Sequence, residues 1–128
     1  SAQEWLDRLR IRASSVDAPV SWLSGGNQQK ILFARALWRS PRVLLADEPT
    51  AGVDVGTKAA IHQWMRDYAQ QGGAVVMSSS EVSELLALCH RIVALREGRT
   101  VAEAASDEVN EARVIGWITG ATEGAVIA

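Results

Sequence analysis

Asp47 and Glu48 stand side by side after the apolar run Val43-Leu44-Leu45-Ala46 and before Pro49-Thr50. A carboxylate at the end of a strand offers hard oxygen ligands to a divalent cation, and a second carboxylate beside it can aim at a water as general base or polarising group. The same pair is also compatible with a simple turn or helix cap. A second cluster lies upstream, in Leu23-Ser24-Gly25-Gly26-Asn27-Gln28-Gln29-Lys30. Here a hydroxyl and two glycines let backbone N–H groups approach a ligand without Cβ obstruction, and the following helix points its positive N-terminus at the same place. That is chemistry for phosphate. No carboxylate follows until Asp47, and Lys30 and Arg35 keep the neighbourhood basic. A lone Ser-Gly-Gly would be read as an ordinary helix-entry turn; the Asn-Gln-Gln-Lys extension and the spacing to Asp47 favour the functional reading.

The elements that must position these residues are legible in chain order. Glu4 to Arg12 carries Trp5, Leu6, Leu9 and Ile11 between charges, a short amphipathic helix leading into extended chain, and Ser14 to Pro19 is a polar loop feeding the Ser24 turn. Asn27 to Trp38 is helical but has almost no polar face, so it must be covered on most sides; Ser40-Pro41 ends it. Val43 to Ala46 reads as a strand buried on both faces of a parallel sheet. Asp54 can cap the next helix, in which Ile61, Trp64, Met65 and Tyr68 fall at helical spacing, and Gly72-Gly73 stops it. Ala74 to Met77 is a second buried strand, followed by a helix capped by Ser80 or Ser79. Arg91 to Leu95 is a third strand, turned by Glu97-Gly98 into Arg99 to Ala102. Ser106 or Asp107 then caps a last helix ending near Gly120, with a loose tail to Ala128. Strand, helix, strand, helix, strand predicts an α/β fold with a parallel layer and right-handed crossovers.

Composition sets outer limits. The 128 residues are 48% hydrophobic with a net charge of −2, one domain's worth at most. A near-neutral balance argues against broad nucleic-acid binding. Cys89 is the single cysteine, so no internal disulfide can form. No apolar stretch approaches the roughly 18 residues of a membrane helix and no leader pattern precedes the fold, so a soluble chain that meets a membrane only through a partner is expected.

At Leu23 to Gly26, Val43 to Glu48 and Ala51-Gly52-Val53-Asp54, in that order and spacing, the sequence resembles the ATP-binding subunits of ABC transporters. These stretches match the family's signature motif, its Walker B strand with the adjoining catalytic glutamate, and its D-loop. The extension to Lys30 and the run Glu48-Pro49-Thr50-Ala51-Gly52-Val53-Asp54-Val55-Gly56 resemble more particularly the second nucleotide-binding domain of tandem ATPases for bacterial uptake of simple sugars, with nucleoside importers as near relatives. The likeness runs from about Leu9 to about Gly120 and covers only the C-terminal half of such a domain.

The resemblance implies a partial P-loop NTPase fold of ABC type. It would have three layers with a parallel sheet, lacking the phosphate-loop strand, plus part of the helical signature subdomain. On that basis residues 1–40 form the helical signature region, 41–103 the Walker B, D-loop and switch sheet region, and 104–128 the C-terminal helix and tail. ATP and Mg²⁺ are the expected substrate and cofactor. Asp47 is expected at the metal, with Glu48 and Ser80 in catalytic positions. Ser24, Gly25, Gly26, Asn27, Gln28 and Asp54 are expected at nucleotide; Ser24 and Gly26 would meet the γ-phosphate held by an opposing domain, and Asp54 would cross the dimer interface. The expected partners are the remainder of its own ATPase domain, the opposing nucleotide-binding domain and membrane permease subunits, with neither nucleic acid nor direct membrane insertion. The expected place is the cytoplasmic face of the bacterial inner membrane, held peripherally.

Two departures stand out. The chain carries no G-x-x-x-x-G-K-[ST] phosphate loop. The nearest stretch, Gly52 to Lys58, has the wrong glycine spacing, Ala59 after its lysine and an aspartate within it. The family's phosphate-loop strand, adenine-stacking aromatic and glutamine loop would lie upstream of Ser1, which leaves apolar strand edges seeking a partner and an isolated piece inactive in hydrolysis. The place of the family's switch histidine reads Ser78-Ser79-Ser80-Glu81. A serine there can donate a hydrogen bond but holds no charge near neutral pH; the sugar-importer group resembles this chain in that respect. A non-catalytic clamping module is therefore the alternative, and a DNA-repair ATPase lobe is disfavoured because no heptad run precedes Ser24. His62 and His90 lack neighbouring ligand types. The five tryptophans read as core or interface residues rather than sugar platforms.

Overall fold

Ser1 opens the first helix through a capping box: its hydroxyl accepts from the Glu4 amide, and the Glu4 carboxylate accepts from the Ser1 backbone nitrogen at 2.6 Å. The computed structural model describes residues 1–124, so the end of the expected loose tail, 125–128, lies outside the described residues. The chain divides into two compact units, Ser1–Ser78 and Ser79–Ala128, the division falling inside the expected 41–103 region.

In the first unit, α1 (Ala2–Arg8) stops short of the expected Arg12. Arg10 takes a left-handed φ of 49°, which ends the helix and lets Leu9 and Ile11 enter the core. A 3-10 turn over Val20–Trp22 leads to Ser24, whose hydroxyl accepts from the Asn27 amide and caps α2 (Gly25–Leu37). The glycines thus lie inside the first helical turn. Of α2, Phe33 is buried while Leu32 and the following Trp38 are exposed, so the covering that its composition calls for is not supplied by the described residues.

β1 (Val43–Asp47) runs parallel to β2 (Ala74–Ser78), paired from Val43 with Ala74 through to Asp47 with Ser78. The helix α3 (Val55–Gln70) lies between them in sequence, and its Ile61 and Met65 are buried together with Leu44 and Ala46 of β1. β1 is not buried on both faces as expected: Val43 is 51% exposed and Leu45 76%, alternating with the buried pair. The same correction holds for β2, where Val76 is exposed. A two-stranded sheet with cover on one face buries every second residue and leaves the apolar remainder in solvent.

The second unit holds α4 (Val82–Leu88), β3 (Arg91–Arg96), β4 (Arg99–Ala105) and α5 (Glu111–Thr119). β3 pairs with β4 as an antiparallel hairpin, so the parallel layer contains β1 and β2 and not the third strand. The hairpin turn places Glu97 and Gly98 both at positive φ, 51° and 74°, the backbone that matches strand twist in a two-residue turn. Arg91 pairs with Glu103 across the ladder. Val82, Ile92, Ala94, Ala102, Val114 and Trp117 form its core. Neither Ser106 nor Asp107 caps α5. They form a 3-10 turn, and Asn110 caps the helix by accepting from the Arg113 amide at 2.9 Å. Gly120 at φ 82° stops it, and Arg96 Nη1 donates to the Trp117 carbonyl near that end. Among the described residues no helix is long and apolar enough to cross a membrane.

Candidate functional site

The carboxylate pair sits where β1 ends. Asp47 is the last residue of the strand and exposed, and the Ser78 hydroxyl donates to its Oδ1. Glu48 departs from the strand with a left-handed φ of 44°, unusual for a residue with a Cβ. Two hydrogen bonds hold it there: its amide donates to the Ser78 carbonyl at 3.0 Å, and its carbonyl accepts from the Ala51 amide at 3.1 Å. Buried Pro49 and Thr50 follow and anchor the turn. Strain of this kind, of order 1–3 kcal/mol, persists where the surroundings over-determine it and clusters at functional sites.

The upstream turn is built from the same unit. Asn27 accepts from the Arg12 amide at 3.2 Å and donates from Nδ2 to the Arg12 carbonyl at 3.3 Å and to Ser24 Oγ at 3.1 Å. Gln28 Nε2 donates to the Leu23 carbonyl at 2.9 Å. These amides brace the turn and the incoming chain, so the geometry gives Asn27 and Gln28 a shaping place beside Ser24, Gly25 and Gly26. Gln29, not singled out from sequence, donates to the Pro49 carbonyl at 2.8 Å and so ties α2 to the end of the carboxylate strand. Lys30 donates to the Arg10 carbonyl at 3.0 Å; partial burial lowers its pKa, against the opposing pull of Asp54.

Asp54 caps α3 as expected: Oδ1 accepts from the Thr57 amide at 3.0 Å and Oδ2 from the Thr57 hydroxyl at 2.7 Å. Those bonds, the hydroxyl's first, hold its carboxyl below the ordinary value of 3.8. Gly26 lies close by, with its missing Cβ facing Thr57 and Asp54. The structure therefore brings the Ser24 turn, the D-loop stretch and the carboxylate strand into one unit.

Ser80 belongs to the second unit, just before α4. Neither Ser80 nor Ser79 is the residue capping that helix; the cap position is Glu81, with no side-chain cap bond. Ser79 instead accepts from the Glu81 amide at 3.1 Å and donates to Glu84 at 2.7 Å, because the nearly buried Glu84 carboxylate draws the hydroxyl inward. His62 and His90 join no ligand cluster: among the described residues no group of three or more His, Cys, Asp and Glu could hold a metal by itself. Mg²⁺ takes one or two carboxylates together with waters and substrate phosphates, and the exposed Asp47 at the end of β1 is a suitable donor for it.

A profile described as ABC transporter matches residues 1–51. The chain is 46% identical over 119 residues to the ribose import ATP-binding protein RbsA 2 of Rhizobium etli, a match covering 93% of this chain and 23% of that protein. It is 44% identical to the xylose import ATP-binding protein XylG of Moorella thermoacetica, covering 93% and 24% respectively. The chain thus spans about a quarter of the length of these relatives. Among solved structures, a dimeric bacterial ABC transporter cassette superposes with a TM-score of 0.71 at 29% identity, covering 82% of this chain and 45% of that one. An ATP-binding cassette of an ABC transporter in its ADP conformation shares the fold, with a TM-score of 0.70 at 22% identity over 92% of this chain and 44% of that one. In sequence and in fold, the chain is similar to one stretch of ABC transporter ATP-binding proteins.

Proposed function

We propose that this chain is part of the ATP-hydrolysing subunit of an ABC importer for simple sugars. It contributes signature turn, Walker B carboxylates and D-loop to composite ATP sites between two nucleotide-binding domains. The observation that carries the reading is the end of β1, where Asp47 and a left-handed Glu48 are held as adjacent carboxylates by Ser78 and Ala51. The printed names of the relatives, ribose and xylose import ATP-binding proteins, support the solute class.

Asp47 would hold Mg²⁺ directly or through water. Bound there, the ion supplies charge neutralisation on the β- and γ-phosphates. Glu48 orients and polarises the attacking water, taking up its proton as the bond to the γ-phosphorus forms and the bond to the β–γ bridging oxygen breaks, ADP leaving. Ser24 and the N–H groups of Gly25 and Gly26 receive the γ-phosphate of ATP held by the opposing domain, with Asn27 and Gln28 keeping the turn in shape. Asp54 lies at the dimer interface, and Ser80 donates a neutral hydrogen bond to the γ-phosphate. The phosphate loop belongs to the remainder of the ATPase domain, and the apolar positions left exposed on β1, Leu45 above all, are where that remainder packs. Permease subunits complete the assembly at the cytoplasmic face of the bacterial inner membrane.

Glu48→Gln in the full-length ATPase carrying this segment tests the reading. The expected result is loss of ATP turnover by about 100-fold or more with ATP binding retained. Unchanged turnover would instead establish a clamping module, the alternative that the neutral Ser80 favours. Calorimetric titration of Mg-ATP into the present chain alone should show no binding.

A further inference from the structure

Ser78 ends β2 as the register partner of Asp47 and touches the carboxylate pair twice. Its carbonyl accepts from the Glu48 amide at 3.0 Å, a bond any residue could make. Its hydroxyl donates to Asp47 Oδ1, a bond that needs a hydroxyl side chain. Asp47 is exposed, and an exposed aspartate rotates readily about its side-chain bonds. A donor fixed to one oxygen sets the plane of the carboxylate and decides which oxygen faces outward.

We infer that Ser78 is the positioning residue of the metal-binding carboxylate. It engages Oδ1 of Asp47 so that Oδ2 is the atom presented to Mg²⁺ or to a Mg²⁺-bound water. The inference rests on the ATPase reading above and adds a residue to it. The Ser78 hydroxyl acts through Asp47 alone, so its removal weakens the hold on the cation and leaves the hold on the nucleotide as it was. The carbonyl bond to Glu48 survives substitution of the side chain, so folding of the strand end is preserved.

The test uses the full-length ATPase that carries this segment, with binding of a fluorescent ATP analogue followed at graded Mg²⁺ and in EDTA. Ser78→Ala should raise the Mg²⁺ concentration for half-maximal enhancement of binding about tenfold. Affinity in EDTA and the Tm should stay at native values, and Ser78→Thr should restore the native Mg²⁺ requirement. An indifferent Ser78→Ala in a protein whose native form responds to Mg²⁺ overturns the role of Ser78 and leaves the ATPase reading intact. Equal shifts in Ser78→Ala and Ser78→Thr with a lowered Tm also overturn it, as a packing effect. A native protein indifferent to Mg²⁺ overturns the ATPase reading and the role of Ser78 with it.

Discussion

Gly26 lies against Thr57: a Cβ at position 26 would stand 2.8 Å from Thr57 Oγ1 and 3.2 Å from Asp54 Oδ2. Neither atom can move aside cheaply, because Thr57 donates to Asp54 from both its hydroxyl and its amide. The second glycine of the turn is therefore required by the cap of α3, whatever binds outside. A side chain there would pry the turn from the helix that follows the D-loop stretch.

Gly26→Ala should destabilise the first unit by about 1–3 kcal/mol through overpacking. Thr57→Ala removes the clashing oxygen, so the double variant should recover part of that loss, a non-additivity read from urea midpoints. Additive effects would mean that the two residues do not meet.

The Asp54 cap makes a pH prediction. Its folded pKa lies below the unfolded value of 3.8, owing first to the Thr57 hydroxyl. Its contribution is present above that value and is lost as pH falls through the folded pKa. Asp54→Asn should lower stability at neutral pH and flatten the acid limb below about pH 4 in urea titrations at graded pH. An acid limb as steep as in the native chain would remove Asp54 as its source.

Adjacent leucines of β1 should behave oppositely. Leu44 is 6% exposed, and Leu44→Ala should cost about 2–4 kcal/mol in thermal or urea unfolding of this chain. Leu45 is 76% exposed, and Leu45→Ala should lie within about 0.5 kcal/mol of native. Comparable costs at both positions would show that Leu45 is covered within this chain.

Cys89 is half-buried, and burial first, then the nearby Glu84 carboxylate, pushes its thiol pKa up from 9.0. It should react with iodoacetamide more slowly than a free cysteine at pH 8. Glu84→Gln, read against a Ser79→Ala control, should move the pH–rate curve toward lower pH. A curve that stays in place would leave burial as the sole cause.

Much of the local structure in both units is legible where a residue acts on its immediate neighbours. Asp54 before Val55 and Gly56, Glu97-Gly98 between strands and the apolar run before Asp47 each declare a local geometry, and each is found. The caps of α4 and α5 fall elsewhere than expected because several cap-forming residues stand at each start, serines and Glu81 before α4 and Ser106, Asp107 and Asn110 before α5, and other contacts choose among them. Buried Glu84 claims the Ser79 hydroxyl, and the Ser106 amide donates to the His90 carbonyl, so the cap of α5 passes to Asn110. The brace of Asn27 on Arg12, and the hydroxyl of Ser78 on Asp47, join positions far apart in sequence, and no periodicity encodes them.

The bond from Gln29 to the Pro49 carbonyl has a mechanical meaning. On the proposed reading, the Ser24 turn serves the ATP of the opposite domain while Glu48 serves the ATP of its own. Gln29 spans the two, one helical turn from the first and one residue from the second. The bond makes the turn and the end of the carboxylate strand one piece of scaffold, so the two cannot be displaced separately without breaking it.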